Sequence, residues 1–229
     1  MNLKYILLII LVSTSMFAQS VELNTFMDIN KCDTILKRTT HTVCFSYKYN
    51  SPIAVWYTLD GSTVDKTNLR KRPPFKKDPM LDSKYQIDSK LYSHNNQNID
   101  LGHCAPDGSF DYDLDTLKKI YFTSNVTPQY HRLNAYYWFK SEQFSRYLAK
   151  KLGSLNVIII ILYNSSNVLS KDGYISQAIP TDYIKIMYNN KHDVIHCFKF
   201  KNTNDKLFHD KLIHHEIKCS KIALKQLIF

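Results

Sequence analysis

At 229 residues, with 44% apolar residues, 22% charged residues, 5 Gly and 7 Pro, the chain has the composition of a domain with a filled core. Disordered, collagen-like and coiled-coil architectures are excluded on that ground. Lys and Arg number 30 against 20 Asp and Glu, and the net charge of +10 points to an anionic partner, nucleic acid or acidic lipid, without choosing between them.

The chain opens with one lysine, Lys4, ahead of an apolar run over residues 5–12 and a stretch of mostly small residues up to Ala18. That run is too short for ~30 Å of hydrocarbon, so residues 1–18 read as a secretory signal peptide cleaved near Ala18, with a retained anchor as the alternative. Export implies a secreted or periplasmic protein whose residues 19–229 form a single domain. No later run is long enough to span a bilayer, so no stable membrane association is expected after signal removal. In an oxidising compartment the 5 cysteines allow at most two disulfides. Proximity in sequence pairs Cys32 with Cys44 and Cys197 with Cys219 and leaves Cys104 as a buried free thiol; a fully reduced chain is the alternative.

Residues 43–59 are β-branched and aromatic around Asn50-Ser51-Pro52, which predicts two strands and a turn. Residues 61–82, polar, basic and proline-bearing, predict an irregular surface segment. A helical turn over 111–119 is expected to lead into a strand at 120–123. Tyr137, Phe144, Tyr147 and Leu148 recur at helical spacing and predict a helix over 134–152, ended by Gly153. Strands are expected at 157–162, 174–179, 181–188 and 194–200, and the Lys- and His-rich tail from 204 has helical periodicity. The fold class is α+β, with a mostly antiparallel central sheet and flanking helices.

Three ordered blocks carry the chemistry. Residues 100–106 read DLGHCAP, residues 121–129 read YFTSNVTPQ, and Leu133, Asn134, Trp138 and Glu142 follow. These blocks resemble the signature of the DNA/RNA non-specific endonucleases, the ββα-metal or His-Me finger nucleases: D-R-G-H-[LM]-A-P, then S-N-[IV]-x-P-Q, then L-N-x-x-x-W with a Glu four residues on. Asp100, Gly102, His103, Ala105 and Pro106 match the first block; Asn125, Pro128 and Gln129 match the second. The likeness covers about residues 43–200. It implies a ββα-metal active-site motif, His103 as general base, Asn134 as direct ligand of Mg²⁺ or another divalent cation such as Mn²⁺, Glu142 holding metal-bound water, and Asn125 as a further site residue. It also implies DNA, RNA or both as substrate, with weak sequence preference.

Those residue types suit the reaction on chemical grounds. Phosphodiester hydrolysis needs a base for water, positive charge on the phosphate and a group to hold the backbone. Histidine, with an ordinary pKa of ~6.5, is a natural base near neutral pH. A neutral amide oxygen suits a cation that keeps most of its waters. Each residue also has an ordinary reading: a turn histidine, an Asn helix cap, a packing Trp, a solvated helix carboxylate.

Leu101 departs from the signature, standing where the family has Arg. Loss of one charge-assisted contact to phosphate costs about 1.5–3 kcal/mol. Arg132 or Arg146 is the candidate replacement; a changed substrate range, or a weak or inactive scaffold that binds nucleic acid or a partner protein, are the alternatives. Upstream, the run from Arg70 to Pro79 resembles the family's Arg-aromatic-Lys-Asp-Pro segment, which makes Arg72, then Arg70, a phosphate-contacting group, against the alternative of a solvated basic loop. His192 and His196 lie four apart in a strand-like run, where such spacing does not make a zinc pair. No G-x-S-x-G elbow supports a serine hydrolase.

Overall fold

The computed structural model describes residues 26–66, 68–93, 98–164, 166–205 and 210–222. The expected signal segment lies outside the described residues. The β-branched and aromatic runs form the main sheet: β1 (Thr34–Lys37), β2 (Thr42–Ser46) and β3 (Ser51–Asp60) come first. After a long irregular segment come β4 (Ile99–His103), helix α1 (Leu114–Ile120), β5 (Val126–Tyr130) and helix α2 (Phe139–Leu152). The chain then adds β6 (Ser154–Leu162), β7 (Val168–Leu169), β8 (Gln177–Ala178), β9 (Asp182–Asn189), β10 (Val194–Lys201) and β11 (Glu216–Ile217).

Seven strands form one sheet in the order β1-β2-β3-β6-β9-β10-β11, with every neighbouring pair antiparallel. Strands β6 and β9 lie at its centre, which is why VIIIIL and YIKIMY read as near-continuous apolar runs rather than alternating ones. Helix α2 packs across β3 and β6 and ends at Gly153, whose φ of 82° favours glycine. Two small sheets, β4-β5 and β7-β8, stand apart from the main one and enclose a second apolar cluster of Ile87, Leu91, Tyr92, Ile99, Val126, Leu169 and Ile179. Disulfides join Cys32 to Cys44 and Cys197 to Cys219, and Cys104 is free and buried, its thiol pushed up to about 12 by burial. Among the described residues no helix is long and apolar enough to cross a membrane.

Three expected elements differ. The strand at 120–123 is absent: Asp113 caps α1 with two hydrogen bonds, Leu117 and Ile120 bury its inner face, and the helix continues through Ile120. Only a single bridge, Lys76 to Phe122, remains of the strand. The expected strand at 174–179 shrinks to the two residues of β8. The described part of the tail is not a long helix, because the Cys219 bridge and the pairing of β11 with β10 draw it along the sheet edge in short 3₁₀ turns and extended backbone.

Candidate active site

Strand pairing explains why the first two sequence blocks occur together. In the β4-β5 ladder Asp100 faces Gln129, Gly102 faces Thr127 and His103 faces Val126. A Cβ on Gly102 would lie 2.2 Å from Oε1 of Gln129, so the buried glutamine occupies the space that glycine leaves. His103 ends the strand, and Asn125 secures the turn beyond it. Its Oδ1 accepts from the Ala105 N–H at 2.9 Å, and its Nδ2 donates to the carbonyls of Ala105 and Ile120, each at 3.0 Å. Expected as a further site residue, Asn125 is wholly buried with its amide engaged by backbone, an arrangement that suits positioning the turn and does not bring the amide to the cavity. The His103 ring stacks on Phe75, centroids 5.1 Å apart, and meets the edge of Tyr121 at 4.8 Å. Burial holds the imidazole far below its usual value, down to about 4; Asp107 opposes that shift and Arg72 adds to it.

The third block folds in an unexpected way. Residues Leu133–Trp138 form a π-helical turn that leads directly into α2. In a regular α-helix a residue eight positions on is displaced by about 80° from two full turns. The wider π turn uses more residues per turn and reduces that displacement, and Asn134 and Glu142 line one cavity. Asn134 gives its Nδ2 to Oδ2 of Asp100 at 2.9 Å, and the same carboxylate oxygen pairs with His131 Nδ1 at 2.9 Å. With the nitrogen so engaged, Oδ1 is the atom left for the cavity. Trp138 donates from Nε1 to the His103 carbonyl at 3.2 Å, tying helix to strand.

Beneath that tryptophan lies a group that the sequence did not reveal. Lys185, from the central strand β9, is wholly buried; its Nζ donates to Ser141 Oγ at 2.8 Å and sits 3.5 Å from the centroid of the Trp138 ring. Burial lowers its pKa to about 8, with Glu142 opposing. Glu142 is pushed the other way, up to about 7, by burial; Lys185 and then Arg146 oppose that rise.

His103, Pro106, Asp107, Asn134, Ala135, Phe139 and Glu142 together enclose a cavity of about 320 Å³. Asp107 was missed as a lining residue, although an acid four positions after a base is a readable signal. Its carboxylate accepts from Tyr121 Oη at 2.9 Å and pairs with Arg72 Nε at 3.1 Å. The expected phosphate-binding arginines are placed differently from one another. Arg72 adjoins the site, but its guanidinium also binds Asp111 at 3.0 Å and the Leu69 carbonyl at 2.5 Å, so it first neutralises two carboxylates. Arg146, expected as a substrate contact, has a side chain only 12% exposed, tied to Asp65 at 3.1 Å and close enough to Glu142 to favour its carboxylate. Arg132 lies over the Tyr136 ring at 5.6 Å, and Arg70 is exposed on the basic segment. Leu101 packs with Phe75 against the second apolar cluster.

The donor chemistry fits a hydrated divalent ion. The Asn134 amide oxygen and the Glu142 carboxylate are hard oxygen donors lining one polar cavity. Among the described residues no group of three or more His, Cys, Asp or Glu converges to hold a metal, so an ion between Asn134 and Glu142 would take its remaining ligands from water and phosphate.

Comparison with known proteins bears on the fold and the family. The chain is 28% identical over 138 residues to nuclease C1 of Cunninghamella echinulata var. echinulata, covering 58% of this chain and 53% of that protein. It is 27% identical over 122 residues to the mitochondrial nuclease of Saccharomyces cerevisiae, covering 52% of this chain and 36% of that one. The chain thus spans about half or less of the length of these curated relatives. Its fold superposes on a chain from the crystal structure of an EndoG/EndoGI complex with a TM-score of 0.69 at 18% identity, covering 82% of this chain and 81% of that chain. The sequence profile of the DNA/RNA non-specific endonucleases matches residues 22–225, and the chain belongs to that family.

Proposed function

We propose that this protein is an exported, Mg²⁺-dependent endonuclease that hydrolyses phosphodiester bonds in DNA, RNA or both with weak sequence preference. The observation that carries the reading is the convergence of His103, Asn134 and Glu142 on one cavity. The family membership and the positive charge of the chain support it. Two disulfides suit the oxidising compartment that export would provide.

In this reading His103 is uncharged at neutral pH, because burial between Phe75 and Tyr121 disfavours the imidazolium, and a ring nitrogen accepts the proton of the attacking water. Trp138 and Asn125 hold the backbone at and just after that residue, through the His103 carbonyl and the Ala105 N–H. Asp100 turns the Asn134 amide so that its oxygen faces the cavity. Glu142 orders water there, with Lys185 beneath it favouring the carboxylate. A divalent ion bound at Asn134 would supply positive charge against the phosphate and its leaving oxygen. Incubation with plasmid and RNA should give cleavage with Mg²⁺ and none with chelator. Intact substrate in every lane, with folding confirmed by circular dichroism, rejects the enzyme.

Leu101 favours a second reading, a nuclease-like scaffold that binds nucleic acid or a partner protein without cutting. Its packing against the apolar cluster leaves the phosphate side without the family's guanidinium at that position. A Leu101→Arg variant separates the two: cleavage appearing in place of a silent parent supports the scaffold, and an active parent removes it.

A further inference from the structure

A half-exposed phenylalanine stands in the wall of the catalytic cavity, where the chemistry described above has no use for it. Phe139 begins α2, lines the cavity with His103, Asn134 and Glu142, and keeps 44% of its surface in solvent. Three residues earlier in the chain Tyr136 is 52% exposed, and the guanidinium of Arg132 lies 5.6 Å from its ring centroid. Trp138, between them, is wholly turned inward. The segment therefore presents two exposed aromatic side chains, Phe139 in the cavity wall and Tyr136 one turn before it with a cation on its ring, and an exposed Lys140 follows.

Aromatic faces combined with positive charge are the surfaces on which bases of single strands stack, since every base offers a π face while its phosphates meet the cations. A base inside a duplex is already stacked on its neighbours, and reaching such a surface requires that it leave the helix. Resting on the nuclease reading, and adding a substrate class to it, we infer that Phe139, continued by Tyr136 and Arg132, is a stacking subsite for an unpaired base next to the phosphate in the cavity. The protein then prefers single-stranded nucleic acid, or locally opened duplex, over intact duplex.

The subsite can be read without cleavage. In a His103→Ala background, an oligonucleotide carrying 2-aminopurine should bind with quenched fluorescence, because stacking on an aromatic ring quenches that base. Adding Phe139→Ala should remove the quenching and weaken binding to the single strand about five- to a hundredfold. Adding Phe139→Trp instead should retain both. Affinity for the matching duplex should change less than threefold with Phe139→Ala. Equal losses on single strand and duplex, or quenching that survives Phe139→Ala, overturn the subsite. Protein that binds and quenches while the His103 parent cuts nothing keeps the subsite and defeats the nuclease reading. A parent that cuts while Phe139→Ala leaves single-strand binding intact does the reverse.

Discussion

On the strand wall of the cavity His103 is enclosed by two aromatic rings, and on the helix wall Glu142 stands above a buried lysine. Burial drives both groups toward their neutral forms, the imidazole down to about 4 and the carboxylate up to about 7. The outcomes differ because their surroundings differ. Neutrality is what a base requires, so the aromatic wall needs no correction by charge. A carboxylate that must order water works ionised, and the helix wall answers with Lys185 and Arg146, both of which lower its pKa. One cavity thus holds two titratable groups displaced in opposite directions by the same cause, each with neighbours that suit its proposed role.

The largest break in that comparison is removal of the base. His103→Ala should lower the rate of plasmid and RNA cleavage about 10²- to 10⁴-fold, the range of a positioned general base, with the fold unchanged by circular dichroism. A loss below tenfold would move the base elsewhere.

Next in size is the helix wall. Lys185→Met keeps the length and packing of the side chain and deletes its charge, so Glu142 loses the first of its opposing cations and its pKa climbs above about 7. An increase of one unit takes the ionised fraction at pH 7 from about one half to about one tenth, so kcat there should fall about fivefold, with KM little changed. The deficit should close above pH 8, where Glu142 ionises without help and the native Lys185, whose pKa is about 8, sheds its own proton. Lys185→Arg should restore part of the rate. A deficit of the same size at every pH would reduce Lys185 to a packing role.

These two walls were not equally readable from sequence. His103, Asn134 and Glu142 were singled out by the resemblance of three ordered blocks to the endonuclease signature, whose residue types suit the chemistry, and the central strands were legible because β-branched runs have few other uses. Both disulfides followed from proximity in the chain. Lys185 was not legible: within YIKIMY a lysine reads as a residue facing outward, and only the π turn and helix α2 covering the sheet give it Trp138 and Ser141 as partners. The same holds for Arg146 and Arg72, whose carboxylate partners are distant in sequence. The π turn leaves no mark in apolar periodicity, which cannot separate it from α-helix over six residues.

The strand wall also depends on shape. Gly102→Ala should destabilise the protein by about 1–3 kcal/mol, since its new methyl would occupy the place of the Gln129 side chain. Pairing it with Gln129→Ala should return most of that loss, measured as the non-additivity of the two unfolding free energies. Additive losses would mean that the backbone, not Gln129, requires glycine.

The smallest expected effect tests the aromatic enclosure itself. Phe75→Ala opens one side of the His103 ring to water, so the imidazolium is no longer disfavoured to the same degree and the folded-state pKa rises from about 4 toward the ordinary ~6.5. A titration of the His103 ring C–H resonance follows this directly. At pH 7.5 the ring is neutral in both proteins, and cleavage should change less than threefold; near pH 5 the variant's ring is largely charged and the native ring is not. The consequence for stability has a definite sign. A histidine with a depressed folded-state pKa contributes stability above the unfolded value, and that contribution is lost as pH falls from ~6.5 through about 4. Phe75→Ala should therefore lose less stability on acidification than the native protein, although it starts lower for want of the ring. Parallel acid dependence in the two proteins would assign the depression of His103 to Arg72 and the surrounding backbone instead of to aromatic burial.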